Sequence, residues 1–210
     1  MRRLRRISPL LFLLLLLLLL LLLQQGECLA SFASHHRKIA EHLQTAGDLV
    51  VDGAAVLGEY GVYSEDPAAI SFAGCSISNA GRDFSVAWQE LEENQSWESC
   101  IDLGLLPAAR SLEAAAASLE IMQPLIECSR HLHLAGEVTG CINMASAAAD
   151  DYRNAGLSTI QAGIALTEYG EGMIGFSDVE SNAGHKFTDA AASLISAGNS
   201  MKQISDDLIT

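Results

Sequence analysis

Three groups of residues in this chain have types and spacing that chemistry uses. Gly170-Glu171-Gly172-Met173-Ile174-Gly175 carries the letters of a dinucleotide-binding glycine loop. Such a loop needs a strand before it and a helix after it, so that backbone amides face a pyrophosphate. The preceding segment here is rich in Ala and Gly at helical spacing, so these glycines are expected to form a hinge between two helices, with no cofactor. His35 with His36, and His131 with His133, offer imidazoles for a metal. Positions two apart on a helix point to different sides, and no Cys or carboxylate cluster completes a four-ligand set, so no metal site is expected. Glu90, Glu92 and Glu93 read as a solvated face. No HExxH, GxSxG or EF-hand loop is present, and no Ser, His and Asp set is nominated, which points away from an enzyme.

The cysteines carry the third possibility, a disulfide framework. The chain opens with Met1-Arg2-Arg3-Leu4-Arg5-Arg6, continues with an apolar run of 14 residues from Leu10 to Leu23, and exits through Cys28-Leu29-Ala30. A basic start, a short greasy core and small residues at the exit are the marks of a secretory signal peptide. The run is shorter than the roughly 20 residues of a spanning helix, although extending it back to Ile7 would make an uncleaved anchor. Residues 1–30 are expected to be removed after Ala30, or nearly as well after Cys28, leaving one secreted domain over residues 31–210. In an oxidising compartment Cys75, Cys100, Cys128 and Cys141 would form two disulfides in one of three connectivities. If Cys28 is retained, it is a candidate partner for Cys100. Asn94-Gln95-Ser96 is a sequon for N-glycosylation at Asn94.

Charge narrows the partners. Four of the 12 basic and one of the 26 acidic residues precede Ser31, which leaves 8 and 25 and a formal net charge of −17. A surface this negative repels phosphate backbones, so nucleic acid is not an expected partner.

The elements that must position these residues are helices. Cys141, Ala148, Ala155 and Ala162 recur every seven residues beside Gly156, Gly163 and Gly170. Further rows are Ala40, Gly47, Ala54, Gly61, Ala68; Ala73, Ala80, Ala87; and Ala183, Ala190, Ala197. Seven residues are nearly two helical turns, so each row is a stripe, and stripes this small let backbones approach closely. The letters Ser78-Asn79-Ala80-Gly81 with Phe84, Ala87 and Leu91 recur as Ser181-Asn182-Ala183-Gly184 with Phe187, Ala190 and Leu194, as a duplicated helix would leave them.

The expectation is an all-α, up-and-down bundle of four to five long helices with Ala/Gly heptad seams and disulfide staples. Helices are predicted over Ser31–Tyr60, from the Asp66-Pro67 start to about Asn94, from Pro107 to about Leu134 with a kink or stop at Pro124, over Thr139–Tyr169, and from the Ser177 capping box to Leu208. An irregular connection is predicted from Asn94 to Leu106. In that layout Cys75, Cys128 and Cys141 fall near one end and Cys100 near the other.

Such a chain is expected to act by binding an extracellular protein or itself, through a stripe not used inside the monomer. The alternatives are a carrier of a hydrophobic small molecule, with a cavity lined by residues such as Leu119, Met122, Ile142, Met144 and Ile160, and a secreted enzyme inhibitor. Plant-type inhibitors of cell-wall enzymes are similar in class, being secreted helical bundles with two disulfides. The early cysteine hairpin of those proteins has no counterpart between Ser31 and Ile70.

Overall fold

The computed structural model describes residues 9–59, 66–94, 96–142 and 148–209, with side chains from residue 31 onward. Among these residues every element is helical and there is no strand: α1 Pro9–Glu59, α2 Pro67–Glu93, α3 Trp97–Cys100, α4 Leu106–Leu119, α5 Ile126–Cys141, α6 Ala148–Met173 and α7 Asp178–Ile209. The expected leader lies outside the described residues, apart from the helical course of its backbone from Pro9. Among the described residues no helix is long and apolar enough to cross a membrane.

The boundaries follow local chemistry. Asp66 caps α2, its carboxylate accepting the Ala68 N–H at 3.0 Å, with Pro67 in the first turn where its missing N–H is harmless. Ser177 caps α7: its hydroxyl accepts the Glu180 N–H at 3.2 Å and donates to the Glu180 carboxylate at 2.6 Å. The expected kink or stop at Pro124 is a full stop, with α4 ending at Leu119 and a 3-10 turn over Gln123–Leu125 leading into α5. Two expectations are corrected. The stretch before Pro107 is helical, passing from α3 through a π turn, Ile101–Leu105, directly into α4. The helix predicted over Thr139–Tyr169 is broken instead, because α5 ends at Cys141 and Ile142 is extended.

Six long helices therefore pack, not four or five. Each lies against two neighbours, and the order α1, α2, α4, α5, α6, α7 closes back on α1. Successive members run antiparallel, so the ring consists of three hairpins: α1/α2, α4/α5 and α6/α7. Their three turns share one end of the bundle, the turn end. Ser31, the α2–α4 link, the α5–α6 link and the tail of α7 share the other, the terminal end. One apolar core drawn from all six helices fills the ring, with Ile39, Leu43, Phe84, Leu112, Leu132, Tyr152 and Phe187 fully enclosed.

The close small-residue contacts of the described residues lie mainly inside the hairpins, and Gly61 of the predicted rows lies outside the described residues. Bare Cα positions face partner backbone at Gly47/Gly74 and Gly81/Ala40 in the first hairpin. Gly136/Ala109 does so in the second, next to Ser129, whose hydroxyl bonds the Ala116 carbonyl at 2.8 Å. Gly156/Gly198, Gly163/Ala191 and Gly170/Gly184 do so in the third. In each hairpin the contacts step seven residues up one helix and seven down the other. A Cβ at Gly156 would stand 2.6 Å from the Gly198 carbonyl oxygen, and one at Gly170 2.7 Å from that of Gly184. No larger residue fits without forcing the helices apart. These stripes are consumed within the monomer and are not available to a partner helix. The duplicated letters also fall on equivalent faces: Ala80, Gly81, Phe84, Ala87 and Leu91 are buried in α2, as are Ala183, Gly184, Phe187, Ala190 and Leu194 in α7.

Candidate binding surface

Two regions of this bundle carry more than packing: a buried polar pair near the terminal end and an apolar rim at the turn end.

The buried pair joins α1 to α6. His36 is fully enclosed among Phe32, Phe84 and Tyr152, with ring centroids 5.3, 6.2 and 5.6 Å away. Its Nδ1–H donates to the Phe32 carbonyl at 3.0 Å, which leaves Nε2 to accept the Tyr152 hydroxyl at 2.7 Å. Burial pushes the His36 pKa down to about 4 and raises that of Tyr152 well above its ordinary value. Both groups are neutral and mutually satisfied, so the pair holds two helices in register and offers no proton to a substrate.

At the turn end, large apolar side chains face water. Ile121 is 74% exposed and Phe176 77%; Ile126 and Ile174 are exposed beside them on the same two turns. The 3-10 turn before α5 packs against α6, so these turns adjoin. Phe72 adds an exposed ring in the second turn of α2. A groove of about 520 Å³ runs between α4 and α5 from this rim, lined by Ala116, Ala117, Glu120, Ile126, Arg130 and His133. Gly175, at φ 101°, makes the reversal that pushes Phe176 outward. The readable signal for this rim was apolar residues beside Pro124 and Gly175, where turns ordinarily carry polar ones.

The sequence-predicted site residues are scattered. Cys75, Cys100, Cys128 and Cys141 are free thiols in this structure, so the expected disulfides are not seen, and Cys28 lies outside the described side chains. Cys128 and Cys141 sit 13 residues apart on α5, about 20 Å by helical rise. Cys75 and Cys128 stand toward the turn end, Cys100 and Cys141 toward the terminal end. The reversal at Pro124, which makes two antiparallel helices of the one predicted there, is what moves Cys141 away from the end expected for it. In each of these two sets one thiol is buried in the core (Cys128, Cys100) and the other faces solvent (Cys75, Cys141), so none share a face. Burial pushes the Cys100 thiol up to about 12, with the nearby Glu90 charge adding to it, and burial alone does the same for Cys128.

Asn94 is exposed at the end of α2, donating to Glu90 at 2.9 Å. Gly170 of the glycine-loop letters packs in the α6/α7 seam and Gly172 lies on the exposed side of α6, so these letters close a helix, as the hinge expectation held. His35 faces Asp207 at 3.5 Å, while its neighbour His36 points into the core. Among the described residues no three His, Cys, Asp or Glu side chains converge as a metal would require. Of the residues named for a ligand cavity, Leu119, Met122 and Ile142 are buried in the core and Ile160 covers Gly198; Met144 lies outside the described residues. No family model, no curated protein and no solved structure matches this chain.

Proposed function

We propose that the chain is a secreted, non-enzymatic helical-bundle protein that acts by binding another protein, or a second copy of itself, through the turn end. The observation that carries this reading is the exposure of Ile121 and Phe176, 74% and 77%, on adjoining turns of a bundle whose interior is otherwise filled. Isolated apolar side chains on a surface are ordinary; several gathered on one rim beside a groove favour an interface. Export rests on the basic, apolar and small-residue pattern of residues 1–30. A glycan at Asn94 would stand at the terminal end and leave the rim clear.

Native mass spectrometry of protein secreted from expressing cells, wild type beside an Ile121→Ser/Phe176→Ser variant, tests the reading. A dimer or a bound extracellular protein seen with wild type and lost with the variant supports it. A monomer with a co-purifying small mass supports a carrier instead, and identical bare monomers for both remove the binding role. N-terminal sequencing of the same material should begin at Ser31.

A further inference from the structure

The rim is predominantly acidic. Glu59, Glu120, Glu171 and Asp178 lie at or within two residues of the turn-end tips of four long helices, and all are exposed. Among the described residues none of the four is paired with a cation. The two Lys/Arg side chains in that half are already engaged, Arg130 with Glu127 at 3.2 Å and Lys186 with Asp52 at 3.5 Å. The remaining basic residues after Ser31, namely Arg37, Lys38, Arg82, Arg110, Arg153 and Lys202, all belong to the terminal half. An acidic ring around apolar side chains attracts the opposite charge and repels its own kind. A second copy docked rim to rim would bring Glu120, Glu171 and Asp178 against themselves.

We infer that the turn end receives a cationic amphipathic segment of another polypeptide. Its apolar side chains rest on Ile121, Ile126, Ile174 and Phe176, and its Lys or Arg side chains reach Glu120, Glu171 and Asp178. The groove beside Ile126 takes one large apolar side chain of that segment. This assignment rests on the reading of the turn end as the binding face and adds the chemistry of what it binds.

The test uses the secreted protein and a labelled synthetic peptide of Leu and Lys at helical spacing, about four turns long, followed by fluorescence anisotropy at low and high salt. Controls are a scrambled peptide of the same composition and a Leu/Glu peptide. Saturable binding that weakens with salt is expected. It should fall about tenfold or more, the scale on which truncating central apolar anchors acts, in Ile121→Ser/Phe176→Ser. A comparable fall is expected in Glu120→Gln/Glu171→Gln/Asp178→Asn. A terminal-end variant with the same charge change, Glu92→Gln/Glu93→Gln/Asp102→Asn, should bind as wild type does. Circular dichroism establishes that each variant keeps its helices.

Absence of binding overturns the inference. So does equal binding of the scrambled peptide, or equal weakening by the terminal-end variant, either of which means a polyanion and no site. If the peptide fails while Ile121→Ser/Phe176→Ser still alters the assembly seen by mass spectrometry, the binding face stands and only its cationic partner falls. If neither experiment responds to that variant, both readings fall.

Discussion

Nε2 of His36 accepts the hydroxyl of Tyr152 at 2.7 Å, 116 residues away along the chain, inside the core. Because Nδ1 already gives its hydrogen to the Phe32 carbonyl, a second proton on the ring would make Nε2 a donor and end the bond it accepts from the Tyr152 hydroxyl. The pair therefore ties the tautomer of one residue to the rotamer of another and to the spacing of α1 and α6.

The first prediction concerns pH. Burial holds the pKa of folded His36 at about 4, below its ordinary value of 6.5, so its neutral form is the one that folding favours. Its contribution is fully present above pH 6.5 and is lost as pH falls from there toward 4, by roughly 3 kcal/mol in all from this residue. Urea melts across that window, wild type against His36→Leu/Tyr152→Phe, should show the excess slope in wild type alone.

Removing one partner should be worse than removing both. Tyr152→Phe leaves the buried Nε2 without a donor, at about 1–3 kcal/mol. The double variant should cost less than the sum of the two single ones, and an additive double-mutant cycle would contradict the coupling.

Glycines in the same helix should respond with opposite signs. Gly156→Ala places a methyl against the Gly198 carbonyl and should destabilise by about 1–3 kcal/mol, in spite of the better helix propensity of Ala. Gly172→Ala meets nothing within 4 Å and should be neutral or stabilising by up to about 1 kcal/mol. Thermal melts of the two variants side by side decide it.

Thiol chemistry should divide the cysteines by position. Cys75 and Cys141 are exposed, while Cys100 and Cys128 are buried with their pKa pushed up to about 12. A thiol reagent at pH 8 should label the first two rapidly in folded protein and the other two only after denaturation. Peptide mapping that finds two unreactive disulfides in native material would refute this arrangement.

Loss of the Ser177 hydroxyl removes the cap on the Glu180 N–H and the bond to the Glu180 carboxylate. Ser177→Ala should cost about 1 kcal/mol, read as a lowered melting temperature. Hydrogen exchange should become faster in the first turn of α7 than in the rest of that helix.

What the letters make legible is whatever depends on neighbours in sequence. Helix class, the caps at Asp66 and Ser177, the stop at Pro124 and the rows of Ala and Gly all rest on short-range chemistry, and each is found at its residues. The break after Cys141 is different: Ala148 continues the spacing of Cys141 by heptads, so the pattern runs across a gap in the helix itself. The reversal at Pro124, inside the helix predicted from Pro107 to Leu134, is what makes six helices of five and carries Cys141 to the opposite end. The direction of the stripes was also hidden. A row of small residues says that a close neighbour exists, yet the identity of the neighbour is set by hairpin connections, and here it is the next helix of the same chain. The pairing of His36 with Tyr152 spans most of the sequence and leaves no local mark.

A ring assembled from three hairpins brings Ser31 and the tail of α7 together, joined by the 2.7 Å bond from the Ser31 hydroxyl to Asp207. In the mature chain proposed above, a short linker from Ile209 back to Ser31, with new ends cut at the link between α5 and α6, would give a permuted molecule with every interior seam preserved. For the same reason an affinity tag, a lipid or a carrier domain joined just before Ser31 or just after Ile209 would hang from the side facing away from the acidic rim, leaving that rim presented outward.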